Sequence, residues 1–408
     1  MRILVQKFGG TSVSNPEARE HVIRHIKKAL NDEYKLVVVV SAMGRRGEPY
    51  ATDTLLDLVS QNGSFLPERE KDLLLYCGEM ISAVTLCSLL HAEGISTTVF
   101  NGAQAGILTD DQFGNARILS VQPAKVLEQL EKGQVVVVTG FQGRTAQSEI
   151  TTLGRGGSDT TATALGVALQ AEIVDIFTDV DGILTADPKI VEDATQISQV
   201  TFTEICNMAY NGAKVIHPRA VEIAMQANMP VRVRSTFSDA EGTLVTSRHD
   251  ARDTGAGVGD RFVTAIAHSA GVTQIRVSKP EGLKDFQPKV FRAMADNGIS
   301  IDFINVNPEG LEYTVPDSVA DKALRLLEEL GCAPDAVSHC AKVSAIGGGI
   351  NGVPGIMAWI VEALAAETVT ILQSADSNTT IWVLVRGEDM VKAVKALHRK
   401  FLLHEALA

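Results

Sequence analysis

The chain is short of the features that mark disulfide scaffolds, nucleic-acid binders and membrane proteins. Its five cysteines (Cys77, Cys87, Cys206, Cys332, Cys340) are odd in number and include no Cys-x-x-Cys pair. Free thiols in a reducing cytoplasm are therefore expected, not a disulfide framework or a metal knuckle. Nine histidines show no ligand spacing, so no protein-held metal is expected; His217, just before Pro218, is the one to watch, and a packing or hydrogen-bonding role is expected of it ahead of a catalytic one. Basic residues are outnumbered, 37 Lys and Arg against 49 Asp and Glu, for a net charge of −12. That balance argues against a nucleic-acid partner, which needs a basic face. It leaves small anions within reach of a local cation cluster. Long apolar runs are also missing. The valine tetrads at 37–40 and 135–138 are strand-sized, and Lys7 with two glycines breaks any signal-like segment, so neither a membrane span nor a secretory leader is expected.

What is present is a 45% hydrophobic, 21% charged chain of 408 residues, too long for one core and so expected to form two or three domains. Its most informative stretch is the first. Ile3, Leu4 and Val5 lead to Lys7, then Phe8, Gly9-Gly10 and the hydroxyls Thr11 and Ser12. Ser14-Asn15-Pro16-Glu17 then reads as a capped helix start. A strand entering a helix through glycines, with one cation at its end, suits phosphate: bare N–H groups approach the oxygens and lysine neutralises them. Alone, Lys-x-Gly-Gly is equally a tight strand–helix turn.

The segments 35–44 and 134–143 each place four valines or their like before a small hydroxyl residue and a glycine loop. Continuous β-branched runs indicate strands covered on both faces, hence a mainly parallel α/β sheet. Ligands in such sheets sit at the strands' carboxyl ends, where Lys7, Ser41 and Thr139 fall. Residues 248–261 are charged, glycine-rich and aperiodic, and read as a linker. Beyond it the sequence repeats: 290–301 aligns with 360–371 at an offset of 70 residues, a register that also pairs Leu311 with Ile381, Val315 with Val385 and Leu327 with Leu397. Two small α/β modules of one kind are expected.

Two further constellations carry chemistry. In 151–164, Arg155 stands beside Gly156-Gly157, Ser158 reads as an N-cap, and Asp159 opens an Ala-rich helix. Arginine can grip a carboxylate or phosphate bidentately, while Asp159 is either a first-turn acid facing the helix dipole or an acid that orients lysines. In 177–191 a strand ends in Thr178-Asp179, and the chain turns at Asp181-Gly182 and again at Asp187-Pro188-Lys189, without EF-hand spacing. Lys189 and Lys214 could reach phosphates or be ordinary surface lysines. Glu79, inside a helical pattern, would by default face solvent.

KFGGTSVSN, SAMG at 41–44, TTLGRGGSDTTA at 151–162, FTDVDGILTADP at 177–188 and GAKVIHPRA at 212–220 together resemble the aspartokinases, in family order. The 70-residue repeats look like the paired ACT domains of those enzymes. The continuation of SAMG through Arg45 to Thr52-Asp53 is most similar to the diaminopimelate-sensitive, monofunctional type. The resemblance implies an amino-acid-kinase (carbamate-kinase-like) αβα sandwich at 1–247, a linker at 248–261, and ferredoxin-like ACT domains at 262–337 and 338–408. It implies ATP-dependent phosphorylation of the β-carboxylate of L-aspartate in a cytoplasmic enzyme, with Mg²⁺ held mainly by phosphates and water. Lys7 and Asp159 would be catalytic. Lys7, Phe8, Gly9, Gly10, Ser41, Ser158, Thr178, Asp179, Leu184, Thr185, Ala186, Asp187, Pro188, Lys189 and Lys214 would hold the nucleotide. Thr52, Glu79, Arg155, Gly156, Gly157 and Ser158 would bind aspartate. Lys284, Asp285, Gln287, Asn351, Thr370 and Asn378 would meet a feedback amino acid, diaminopimelate ahead of lysine or threonine. ACT modules imply a homodimer or higher homo-oligomer. Rival readings are a glutamate or acetylglutamate kinase of the same fold and a non-catalytic ACT amino-acid sensor.

Overall fold

Val37 to Val40 are completely buried, and the reason is their place in the middle of a sheet covered on both sides. A computed structural model describes residues 1–60, 66–213, 215–247, 262–280, 285–350 and 352–405. The chain divides into two units: 1–183, 196–210 and 214–255 form the first, and 184–195, 211–213 and 256–408 the second.

The first unit runs β1 (Ile3–Phe8), α1 (Pro16–Asn31), β2 (Lys35–Val40), α2 (Thr52–Ser60), α3 (Glu68–Ala92) and β3 (Thr97–Phe100). It continues through β4 (Ile107–Thr109), β5 (Ile118–Val121), α4 (Ala124–Glu131), β6 (Val135–Thr139), β7 (Gln142–Arg144), β8 (Ile150–Thr152), α5 (Gly157–Ala168) and β9 (Ile173–Thr178). The last elements are β10 (Gln199–Thr201), α6 (Phe202–Tyr210), α7 (Pro218–Ala227), β11 (Val231–Ser235) and β12 (Thr243–Thr246). The main sheet has the order β10-β12-β11-β9-β1-β2-β6-β3, parallel at every junction except β11 with β12. One face buries Leu4, Val38, Val40 and Val137 against Val22, Ile26, Leu86 and Leu90 of α1 and α3. Strand alternation turns Val5, Val37 and Val39 to the opposite face, where α5 lies on β1, β2 and β9. This is the expected αβα sandwich. Asn15 caps α1 as its sequence suggested, its Oδ1 accepting from the Ala18 N–H at 2.8 Å.

One expectation is corrected by α3. It is long and apolar enough to cross a membrane by length and composition alone, with a mean hydropathy of 1.8 over its best window. It also buries Asp72, Glu79, Ala83, Leu86 and Leu90 within this unit, which is how the core helix of a globular domain meets the same criterion. A search for uninterrupted apolar runs misses it because Glu79 and scattered small residues divide the stretch.

The second unit contains β13 (Ala265–Ser278), α8 (Phe286–Asp296), β14 (Asp302–Asn307), β15 (Gly310–Pro316), α9 (Asp317–Glu329) and β16 (Pro334–Ile346). Then follow α10 (Ile356–Ala366), β17 (Gln373–Asp376), β18 (Thr380–Arg386) and α11 (Met390–Lys400). Its single antiparallel sheet is ordered β14-β15-β13-β16-β18-β17. The 70-residue register is visible in α8 against α10 and in β15 against β18. It extends to the left-handed residues that open those helices, Asp285 and Gly355.

The modules do not divide where the sequence suggested. The boundary expected between 337 and 338 falls inside β16, and both β13 and β16 serve two cores. Ile275 and Val277 of β13 pack with Phe286, Val290 and Leu327, while Ile266 of the same strand packs with Val343, Ile360 and Leu397. Nor is the first segment continuous to 247. Residues 184–195 leave it, and Ala186 and Val191 are buried in the second module's core. The Ile266 N–H donates to the Thr185 carbonyl at 2.8 Å, adding this excursion to the edge of β13. The linker at 248–261 lies outside the described residues.

Candidate active site

Lys7 occupies the carboxyl end of β1, the strand at the middle of the parallel sheet. Its Nζ stands 2.7 Å from Asp159 Oδ1, and both side chains are nearly enclosed, 12% and 13% exposed. Of the two readings open for Asp159, orientation of the lysine is therefore the one the geometry supports. The Gly9-Gly10 loop passes close beneath the segment that follows β2. The Gly44 N–H donates to the Gly10 carbonyl at 2.9 Å. A Cβ on Gly10 would come within 2.8 Å of the Ala42 and Gly44 carbonyl oxygens, so no side chain fits there. Ser41 joins the same turn through its N–H to the Phe8 carbonyl at 3.2 Å.

The start of α5 supplies the facing wall. Gly156 is its N-cap, with φ of 70°, and a Cβ there would lie 2.1 Å from Cγ of His217. Glycine is required on both counts. This corrects the assignment of Ser158 as the cap: Ser158 is buried inside the first turn against Gly140 and makes no capping bond. His217 instead caps α7, its Nδ1 accepting from the Arg219 N–H at 3.3 Å, and burial holds its imidazole below the usual histidine range. Arg155 is exposed and makes no hydrogen bond or ion pair among the described residues, leaving its guanidinium available to an anion.

Glu79 is not the solvent-facing residue its helical position suggests. It is 2% exposed, and its Oε1 accepts from the Ala42 N–H at 3.1 Å while Gln142 Nε2 stands 3.4 Å from Oε2. Burial pushes its carboxyl up to about 8, against the pull of these donors. Gln142 also accepts from Thr139 Oγ1 at 2.6 Å, so the end of β6 links Glu79 to the loop beside Ser158. Gln142 was marked by no sequence signal, and Ala42 only as part of the SAMG segment. Thr52 opens α2 and is half-buried. Thr178 ends β9 and Asp179 follows it; Asp179 pairs with Arg45 at 2.6 Å, a contact between the segments that follow the two strands flanking β1.

Leu184, Thr185, Ala186, Asp187, Pro188 and Lys189 belong to the second unit, where Asp187 Oδ1 accepts from the Lys189 N–H as a turn former. Lys214, Lys284 and Asn351 lie outside the described residues. A cation at a strand end, a carboxylate that positions it, a glycine loop and a helix N-terminus form a site for moving a phosphoryl group between anions.

The amino acid kinase family model matches residues 2–235 and an ACT domain model residues 335–399. Aspartokinase 1 of Bacillus subtilis (strain 168) is 54% identical over 403 residues, covering 99% of this chain and 100% of that protein. The aspartokinase of Mycolicibacterium smegmatis is 39% identical, covering 98% and 96%. Among solved structures, E. coli aspartokinase III in complex with aspartate and ADP (R-state) superposes with a TM-score of 0.79 at 27% identity, over 98% of this chain and 100% of that one. The same enzyme with lysine and aspartate (T-state) gives 0.75. Relatives that align from end to end, kinase region and ACT region alike, set aside the rival kinases and the bare sensor: the chain belongs to the aspartokinase family.

Proposed function

We propose that Lys7, the Gly9-Gly10 loop and the start of α5 carry out, in this chain, the reaction of its family: transfer of the γ-phosphoryl group of ATP to the β-carboxylate of L-aspartate. A carboxylate oxygen forms the new bond to phosphorus, the bond to the β,γ-bridging oxygen breaks, and ADP leaves with 4-phospho-L-aspartate as the other product. Both reactants are anions, so the rate depends on cations already placed around the transferred group. The observation that carries this reading is the enclosed Lys7–Asp159 pair, which holds one ammonium group at the glycine loop before any nucleotide arrives. Mg²⁺, when bound, adds charge neutralisation on the phosphates. The carboxylates around the site are engaged, Asp159 in the first turn of α5 with Lys7 and Asp179 just after β9 with Arg45, which fits an ion carried by nucleotide and water.

Aspartate would present its ammonium to Glu79 and a carboxylate to Arg155. Arg155→Ala should raise KM for aspartate by roughly 10²-fold, the scale for losing one charge-assisted bidentate contact, with KM for ATP nearly unchanged. Steady-state kinetics with each substrate varied in turn check this. A rise confined to ATP reassigns Arg155 to the phosphates. The five free cysteines fit a cytoplasmic setting.

Feedback control would act through the second unit. A cavity of about 420 Å³ there is lined by residues including Gly352, Gly355, Ser374, Asp376 and Ser377. It is sized for an amino acid, and Asp376 suits an ammonium group. Thr370 and Asn378 are exposed and do not line it, while Asp285 and Gln287 lie in the first module. Diaminopimelate, with two ammonium groups, is favoured over lysine or threonine by the SAMG-loop resemblance. Asp376→Ala should raise the half-inhibiting diaminopimelate concentration at least tenfold while sparing the uninhibited rate. Unchanged inhibition would remove the effector from this cavity. The strand β14, at an edge of the sheet with Ile304 and Val306 exposed, supports pairing with a second subunit, hence at least a dimer.

A further inference from the structure

The excursion 184–195 carries more than two core residues into the second unit. It runs beside the end of α11 and the turn that follows; two hydrogen bonds clip the segments together and a third braces the excursion itself. Thr185 Oγ1 lies 2.9 Å from His398 Nε2, the Thr195 N–H donates to Thr185 Oγ1 at 3.0 Å, and Thr195 Oγ1 donates to the Leu403 carbonyl at 2.8 Å. This arrangement gathers Asp193, His398 and His404, with one ligand-type atom from each within 4.8 Å of the other two. His398 is buried, while His404 and Asp193 are exposed.

We infer that Asp193, His398 and His404 form a binding site for a divalent transition metal of the Zn²⁺ class, which fastens the excursion to the C-terminal helix. Two imidazoles and a carboxylate match the donor preference of Zn²⁺ and its neighbours, not of Mg²⁺ or Ca²⁺. Tetrahedral Zn²⁺ with bonds of about 2.0–2.1 Å needs donors roughly 3.4 Å apart. The two more accessible side chains, Asp193 and His404, can close that difference by rotation. The buried histidine is held by its Thr185 contact, the outer hydrogen bond that orients metal-ligating imidazoles. Three protein donors leave one position for water. Sequence spacing hides the site because its ligands come from positions 193, 398 and 404. None of its donors belongs to the Lys7 cluster, and the assignment stands whether or not Leu184–Lys189 of the same excursion touch nucleotide.

The test uses the full chain, stripped with EDTA and titrated with Zn²⁺ against a chromophoric chelator. One equivalent should bind, and the thermal midpoint should rise with it. Asp193→Asn and His404→Gln, both at accessible positions and so compatible with folding, should each weaken binding by more than about tenfold, and the double variant should abolish it. Co²⁺ in place of Zn²⁺ should give visible absorption without a thiolate charge-transfer band. The inference is overturned if wild type binds no metal, if the double variant binds as tightly as wild type, or if the Co²⁺ spectrum reports cysteine ligation.

Discussion

Lys7→Ala should lower kcat by about 10²–10³-fold, the usual consequence of removing one preorganised charge from a transition state, about 3–4 kcal/mol. The size follows from enclosure: Lys7 and Asp159 are screened from water on most sides, so the ammonium acts in a medium where its charge is felt strongly. The same enclosure complicates the variant, because Asp159 would lose its partner, and an uncompensated carboxylate is destabilising. Two further variants separate the effects. Asp159→Asn keeps the lysine but releases it, so kcat should fall less than in Lys7→Ala. Lys7→Ala with Asp159→Ala removes both charges, so thermal stability should recover towards wild type while turnover stays low. Rates from ADP release and midpoints from circular dichroism decide the matter. Near wild-type turnover in Lys7→Ala would remove the lysine from the chemistry.

The reason some of this was legible in the amino-acid order, and some not, is the range of the interactions involved. The β1–glycine–α1 unit is local: strand, Asn15 cap and Pro16 lie within 14 residues of one another. Each can be recognised from the rules of one turn. The 70-residue repeat is also readable, since α8 and α10 must bury the same stripe. Glu79 could not be placed the same way. Its burial depends on Ala42 and Gln142, which arrive from the turn after β2 and from β7. Asp193, His398 and Thr185 meet across more than 200 residues, and no periodicity encodes that. The shared strands β13 and β16 escaped for a related reason. A repeat shows that two modules exist, while which segment completes each sheet is settled by packing. Ser158 failed as a cap because Gly156, two residues earlier, had already turned the chain into the helix.

The second large effect concerns Glu79 and is set by pH. In the free enzyme its carboxyl titrates near 8, with burial as the dominant cause, so at pH 7 it is mostly protonated. An aspartate ammonium group needs the carboxylate. Binding at pH 7 should therefore release close to one proton, measurable by calorimetry in buffers of different ionisation enthalpy. KM for aspartate should fall about tenfold per pH unit from pH 6 to 7 and level off above 8. For stability the sign is opposite. A carboxyl whose folded value lies above its unfolded value of 4.5 binds its proton more tightly when folded. That contribution is complete below pH 4.5 and is lost as pH rises through 8. Glu79→Gln keeps a neutral hydrogen-bonding group of the same shape, so it should be spared that loss and gain on wild type as pH rises. It should also raise KM for aspartate by about 10²-fold, the scale for truncating one side of a buried charge pair, and flatten its pH dependence. If the variant keeps the wild-type slope, another group holds the ammonium, and the raised carboxyl of Glu79 is only a consequence of where α3 buries it.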